Sequence, residues 1–366
     1  MARILFLPFL QIPSGHHHVA DSIKVQLEQD PGIFHCDKVD ILSYSYGKIE
    51  QLISAFYIQW IHTFPSIYSQ IYRHVAVRGR TIHKHYYTYE WLFMKKLEEL
   101  IEETRPDLVI CTHALPSYLL ARLKERNIWS GKVMNVYTDY FVNDLWGIKQ
   151  IDFHFVPSMQ IKKELLQRGV KSEQIFVTGI PIHPLFQAES MKKRSKIRQT
   201  LLLSGGNMGA GSLHQLLDRL QPNGSILYKV LCGKNEKLFQ SIERLAHPLI
   251  QPLPFISTKA EMNRLYDEAD GIITKPGGVT ISESLNKNLP IFVYDALPGQ
   301  EEMNLQFLKT EGLIFHLENW HTLDVEAQIV NILQNEVAKN QKHIKAYLEQ
   351  IEKVDSSRLI QQLLTP

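Results

Sequence analysis

The chain has 366 residues, 44% of them hydrophobic, enough for two ordinary domains that each bury a core. Its 40 Lys and Arg against 38 Asp and Glu leave a formal charge of +2, too small a basic excess for a general nucleic-acid binder. The three cysteines, Cys36, Cys111 and Cys232, lie far apart, offer no metal spacing or disulfide framework, and suit a reducing cytoplasm.

In chain order, Ile4 to Phe9 reads as a buried parallel-type strand rather than a signal peptide. Ser14-Gly15-His16 follows, then a helix from about His18 to Gln29. The strand, turn and helix resemble a Rossmann opening but lack GxGxxG. His16 falls where such a strand delivers side chains to a ligand. A histidine titrating near neutrality can take a proton from an attacking hydroxyl. Packing of the first loop is the plainer role. His16, His17 and His18 do not suggest a metal, because neighbours on a helix point apart.

Val39 to Leu42 is read as a second strand. From Gln51 to Tyr89 there is no acidic residue, while Arg73, Arg78, Arg80 and Lys84 are basic. Phe56, Trp60, Phe64, Tyr68 and Tyr72 recur every fourth position, and Pro65 breaks or kinks the helix. Such a stretch either packs a core or rests on an anionic membrane. No apolar run is long enough to span a bilayer. A helix over about Trp91 to Glu103 leads to the strand Leu108 to Cys111. His113 follows it, as a cap or as an acceptor-side residue. Val133 to Tyr137 is the next strand, ended by Thr138-Asp139-Tyr140; Asp139 caps a helix, orients His16 or binds an acceptor hydroxyl. Phe153 to Pro157 is a strand and Met159 to Gln167 a helix. Gly179-Ile180-Pro181-Ile182 reads as a hinge, and the basic run 191–198 as a solvated loop.

The second half opens with a strand at Thr200 to Leu203 and the glycine-rich run Ser204 to Gly211. Gly206 and Gly209 permit close phosphate approach, without a Walker ending. Strands are expected at Ile226 to Cys232 and Ile291 to Tyr294, and a strand and loop over Leu253 to Ile256. Helices are expected at Leu213 to Leu220, Glu236 to Ala246, Met262 to Glu268 and Val325 to Leu333, and over Asn340 to Leu363. Between them, Ile272 and Ile273 run into Lys275-Pro276-Gly277-Gly278-Val279-Thr280 and Glu283. This reads as a strand, a tight glycine turn and a helix whose first N–H groups face an anion. Thr280 and Glu283 have the spacing of a capping box. An ordinary capped βα turn has the same pattern.

Ser14-Gly15-His16, Thr138-Asp139-Tyr140, Gly179-Ile180-Pro181-Ile182, Lys275-Pro276-Gly277-Gly278, Glu283 and Pro298-Gly299-Gln300-Glu301 together resemble a known signature. It is that of GT-B glycosyltransferases, in the family of monogalactosyldiacylglycerol synthase and processive diacylglycerol glucosyltransferase, relatives of MurG. The pieces stand in that family's order over most of the chain. The resemblance implies an α/β protein of two Rossmann-like domains facing a cleft, with a C-terminal helix crossing back to the first. Boundaries of 1–184, 185–345 and 346–366 are expected. It also implies inverting transfer from a UDP-sugar, UDP-glucose or UDP-galactose being favoured, with no metal or other cofactor.

His16 matches the family's base, with Asp139 beside it. His113, Asn143, Trp60 and Phe64 fall on the acceptor side. Gly206, Gly209, Gly233, Phe255, Ile256, Gly277, Gly278, Val279, Thr280, Glu283, Gln300 and Glu301 fall on the donor side. The implied partners are a lipid acceptor, diacylglycerol or its glycosylated product, and an anionic membrane surface at the inner face of the cell membrane. No nucleic-acid partner is expected, and the oligomeric state is open. Asn143 departs from the family, which carries a histidine near this position. The first alternative is a UDP-sugar-dependent glycosyltransferase acting on a small-molecule or different lipid acceptor; a UDP-N-acetylglucosamine 2-epimerase-like enzyme and a non-catalytic nucleotide-sugar sensor are the others.

Overall fold

The computed structural model describes residues 1–9, 15–30, 32–46, 86–187, 198–205, 212–297 and 299–364. Trp60, Phe64, Gly206, Gly209 and most of the acid-free aromatic stretch lie outside them. The chain divides into two units. The first is Met1–His183 with Pro298–Gln300 and Gln350–Pro366; the second is Pro184–Leu297 with Glu301–Glu349.

The first unit runs β1 (Ala2–Leu7), α1 (Gly15–Leu27), β2 (Phe34–Lys38), α2 (Ile41–Tyr46), α3 (Tyr87–Thr104), β3 (Leu108–Cys111), α4 (Ala114–Glu125), β4 (Lys132–Val136), β5 (Phe153–Val156), α5 (Met159–Gln167) and β6 (Ile175–Val177). All neighbouring strands are parallel, in the order β2-β1-β3-β4-β5-β6. Ile4, Leu5, Phe6 and Leu7 of β1 are all buried, so both faces of the strand are covered. That is why the strand reads as an unbroken apolar run rather than an alternation. Leu5, Leu97, Val109, Leu119 and Val133 share one core.

The expected strand at Val39 to Leu42 is corrected: the strand is β2, and Ile41 begins a helix. A short apolar run is ambiguous between the two structures. Asp40 decides it, because its Oδ1 accepts from Leu42 N at 2.9 Å and Ser43 N at 3.0 Å, a helix-starting arrangement. Helix α1 begins at Gly15, three residues ahead of the expected start, and so takes all three histidines.

The second unit runs β7 (Gln199–Ser204), α6 (Leu213–Arg219), β8 (Ile226–Leu231), α7 (Glu236–Leu245), β9 (Ile250–Leu253), α8 (Lys259–Glu268), β10 (Gly271–Thr274), α9 (Gly278–Asn286), β11 (Ile291–Val293), α10 (Gln300–Thr310), β12 (Phe315–His316), α11 (Val325–Asn335) and α12 (Val337–Glu349). Its parallel sheet has the order β12-β11-β10-β7-β8-β9. The strand expected from Leu253 onward instead ends there, as β9, and Pro254, which has no N–H for a ladder, opens the loop. Leu201, Leu203, Leu216, Ile226, Tyr228 and Ile273 lie in its core.

After α12 the chain leaves this unit. The closing helix α13 (Ser356–Leu364) packs on α1 of the first unit. Glu352 N donates to Val177 O at 2.7 Å, and Lys132 Nζ to Leu363 O at 3.0 Å. The expected helical region 340–363 is therefore interrupted, with Asp355 accepting from Arg358 N at 2.9 Å as the last helix starts. Two Rossmann-like units and a returning terminal helix make up the GT-B fold. Among the described residues no helix is long and apolar enough to cross a membrane.

Both strand orders contain a reversal. In the first sheet the chain goes from β1 outward to β2, then returns past β1 to β3. In the second it goes from β7 through β8 to β9, then returns past β7 to β10. Connections leaving neighbouring strands in opposite directions open a crevice at the strands' carboxyl ends, where open α/β sheets bind ligands.

Candidate active site

In the first unit the crevice lies between the ends of β1 and β3. His16, in the opening turn of α1, has its Nδ1 2.8 Å from Thr112 O and 2.9 Å from Thr138 Oγ1. Thr112 follows β3 and Thr138 follows shortly after β4. A carbonyl only accepts, so Nδ1 carries the proton and the lone pair of the neutral ring is on Nε2. Among the described residues Nε2 makes no hydrogen bond. Burial lowers the pKa of His16, against the opposing effects of Asp139 and the Thr112 carbonyl. The ring is thus kept neutral, the form able to accept a proton.

His113 stands beside it, the ring centroids 4.8 Å apart and the planes nearly perpendicular. Its Nδ1 accepts from Leu115 N at 3.1 Å, making it the N-cap of α4. Accepting at Nδ1 puts the proton of the neutral ring on Nε2. Phe9 stacks on this ring at 4.9 Å. Burial, then His16 and His17, hold the His113 pKa well below the usual histidine range.

The other first-unit candidates divide. Asp139 is half-buried and acts on His16 as a charge; no helix begins there, so a capping role falls away. Asn143 Oδ1 accepts from Leu145 N at 3.1 Å, a local turn bond that occupies the side-chain oxygen. His17 turns away from His16, its Nε2 3.9 Å from Asp40 Oδ2. Among the described residues no group of histidine, cysteine and carboxylate side chains has the arrangement of a metal site.

In the second unit the crevice lies between β7 and β10. Thr274 ends β10, and Lys275, Pro276 and Gly277 lead into α9. The expected capping box is not formed. Gly277 is the N-cap, and Thr280 is already inside the helix, its carbonyl accepting from Ser284 Oγ at 2.8 Å. A box needs its hydroxyl at the cap position, three residues before the glutamate. Glu283 therefore lies in the second turn.

Nor does Gly277 need a glycine's backbone, since its φ is −81°. A Cβ added there would meet nothing within 4 Å. Neither conformation nor packing among the described residues calls for glycine here. The loop is pinned by Asn304, whose Nδ2 donates to Pro276 O at 3.0 Å. The N–H groups of Gly278, Val279 and Thr280 open the helix and have no partners within it by helix geometry.

Glu283 is 6% exposed. Its Oε2 accepts from the Tyr266 hydroxyl at 2.9 Å, and Lys259 Nζ is 3.9 Å from Oε1. Burial raises its pKa, while Lys259 and Tyr266 oppose the rise. Lys275, to which the sequence assigned no role, is nearly buried, with Nζ 3.6 Å from Asp295 Oδ2. Ser212 Oγ donates to that same oxygen. These residues follow β10, β11 and β7, three adjacent strands. The available signal for Lys275 was its place two residues before the turn glycine.

The remaining donor-side candidates lie beyond the ends of β8, β9 and β11. Gly233 has φ +58°, a conformation that favours glycine. Lys234 Nζ lies 5.5 Å from the Phe255 ring centroid; Phe255 is exposed and Ile256 half-buried. Gln300 begins α10, and Glu301 Oε2 accepts from Leu297 N at 2.6 Å.

Comparison with known proteins fits this arrangement. Over 353 residues, 95% of its length, the chain is 48% identical to the "Uncharacterized glycosyltransferase YkoN" of Bacillus subtilis (strain 168), covering 93% of that protein. The family described as "Monogalactosyldiacylglycerol (MGDG) synthase" matches residues 16–182. The chain is a GT-B glycosyltransferase related to the monogalactosyldiacylglycerol synthase family. This glycosyltransferase is also 30% identical over 253 residues to the "Processive diacylglycerol beta-glucosyltransferase" of Bacillus pumilus (strain SAFR-032), covering 66% of this chain and 64% of that one. Its fold is shared with MurG of Acinetobacter baumannii at a TM-score of 0.62 and 14% identity, over 100% and 99% of the two chains. It is a UDP-sugar-dependent glycosyltransferase with the GT-B fold.

Proposed function

We propose that this enzyme transfers glucose or galactose from its UDP-sugar to diacylglycerol, or to a glycosyl-diacylglycerol, with inversion at the anomeric carbon. The observation that carries the reading is His16. Its bond to Thr112 O leaves Nε2 as an unprotonated base at the crevice of the unit matched by the MGDG synthase family. Similarity to a processive diacylglycerol beta-glucosyltransferase supports the acceptor class.

In the proposed step the acceptor O–H gives its proton to His16 Nε2. The oxygen forms a bond to the anomeric carbon, and the bond from that carbon to the β-phosphate oxygen breaks. Its electron pair leaves with UDP. The opening N–H groups of α9 and the Lys275 ammonium stabilise the added charge on the diphosphate. Glu283 accepts from the ribose hydroxyls, and Gln300 and Glu301 hold the hexose. Phe255 and Ile256 flank the uracil, and Gly233 allows its close approach. Asp139 adjusts the proton affinity of His16.

The enzyme works at the inner face of the cell membrane in this reading. On α3, Tyr87, Trp91 and Lys95 follow one another at successive turns, Trp91 being 83% exposed and Tyr87 69%. Exposed aromatics beside a cation suit a lipid headgroup layer. The test supplies labelled UDP-glucose and UDP-galactose with extracted membrane lipids or dioctanoylglycerol. Labelled β-glycosyl-diacylglycerol is the expected product. An α-linked product overturns inversion; transfer only to a soluble acceptor overturns the lipid reading.

A further inference from the structure

We propose that His16 and His113 form a complementary pair that reads two oxygens of the acceptor. His16 Nε2 takes the proton of the attacking hydroxyl, while His113 Nε2–H donates to an oxygen on the neighbouring carbon. The acceptor class this selects has two adjacent oxygens, as in a glycerol backbone or a sugar diol. The proposal rests on the reading that an acceptor hydroxyl is activated at this crevice.

Three observations support it. First, the two rings are fixed in opposite tautomers by different backbone groups. Thr112 O accepts from His16 Nδ1, whereas Leu115 N donates to His113 Nδ1. The remaining nitrogens are therefore one acceptor and one donor. Second, the rings touch, their centroids 4.8 Å apart, so a small group can reach both. Neither Nε2 makes a hydrogen bond among the described residues. Third, Phe9 stacks on His113 and holds its plane. The charged and titratable groups acting on the pair are Asp139, on His16, and His17, on His113. Burial keeps both rings neutral, and a neutral His113 offers one hydrogen bond without a second charge beside the base.

The cap and the donor functions of His113 can be separated. An asparagine at 113 retains a side-chain oxygen able to cap Leu115 N, but its shorter amide does not reach as far as Nε2. His113→Asn should thus keep the thermal stability and the UDP affinity of the wild type. Two acceptors then probe the second oxygen. Dioctanoylglycerol has an ester oxygen on the carbon beside the one bearing its hydroxyl; its analogue with a methylene in place of that oxygen has none and keeps both acyl chains. The wild type should favour the first by about 5- to 30-fold in kcat/KM, chiefly through KM, matching one hydrogen bond. His113→Asn should remove most of that preference, and His16→Gln should lower the rate with both while leaving the preference. An undiminished preference in His113→Asn overturns the pairing, as does its loss in His16→Gln alone.

A second measurement needs no acceptor. Histidine 15N NMR of the whole protein at pH 7.5 should report Nδ1–H for His16 and Nε2–H for His113. The same tautomer at both positions overturns the proposal. Opposite tautomers in a protein that glycosylates neither probe would refute the diacylglycerol acceptor and leave the pair standing. If opposite tautomers are found but His113→Asn treats both acceptors as the wild type does, His113 is a cap and nothing more.

Discussion

Tyr266 and Glu283 are joined by a 2.9 Å hydrogen bond from the phenol to Oε2, across 17 residues and two secondary-structure elements. The bond aims a buried carboxylate that does not cap its own helix, since Gly277 occupies the cap. Glu283→Ala should weaken free UDP by about 10-fold or more, the scale of a hydrogen bond to a charged group. Tyr266→Phe keeps the carboxylate and loses its orientation, so a smaller loss of about 3-fold is expected, within the range of one net hydrogen bond. Calorimetry with UDP measures both. Unchanged UDP affinity in Glu283→Ala would make the residue structural.

Gly277 offers a sharper separation of folding from binding. Its φ suits any residue, and a Cβ there finds open space. Gly277→Ala should fold with a stability change within about 1 kcal/mol, the usual size of Gly and Ala differences at compatible sites. UDP affinity should nevertheless fall several-fold. A variant that binds UDP as the wild type does removes the phosphate from this turn.

Lys275 and Asp295 should respond in opposite senses. Their 3.6 Å contact partly neutralises the ammonium beside the turn. Lys275→Met should weaken UDP. Asp295→Asn should bind UDP as well as or better than the wild type, because the cation is no longer shared. Ser212, which donates to the same carboxylate, retains an acceptor in the amide variant. Parallel losses of UDP affinity in both variants would mark a merely structural ion pair.

His16→Gln should bind UDP normally and lose about 10²- to 10⁴-fold in kcat, the usual value of a general base. The acid limb of kcat/KM should fall below pH 6.5, because burial lowers the His16 pKa and the base stays neutral further into acid. Asp139 raises that pKa, so Asp139→Asn should move the limb to still lower pH. An upward move would contradict the role of Asp139. Rate measurements from pH 4.5 to 8 suffice.

Acid should also destabilise the fold before carboxylates titrate. His154 is fully buried beside the Tyr137 hydroxyl, and burial lowers its pKa to about 4. His16 and His113 shift the same way. The unfolded chain binds these protons from about pH 6.5 downward and the folded one does not, so stability falls with pH through that window. Tm should already decline between pH 6.5 and 5. A flat or rising Tm there would contradict the buried neutral histidines.

The alternation of strands and helices was legible in the sequence, because apolar runs and turn residues are local signals. The signature from Ser14 to Glu301 carried the fold and the family. Locality also explains the errors. Val39 to Leu42 is apolar enough for either structure, and only the Asp40 cap decided for a helix. Thr280 and Glu283 had the right spacing for a capping box, but helix α9 begins at Gly278.

What the tertiary structure alone decided is which atom of each candidate side chain is engaged. His16 meets Thr112 and Thr138, 96 and 122 residues away, because parallel strands bring their carboxyl ends to one edge. That meeting fixes the proton on Nδ1 and the lone pair on Nε2. Sequence named the histidine, but a tautomer is a property of its partners. Lys275 found its carboxylate, and Glu283 its phenol, by the same long-range convergence. No local period encodes such pairs, since each is set by the order in which strands are laid beside one another.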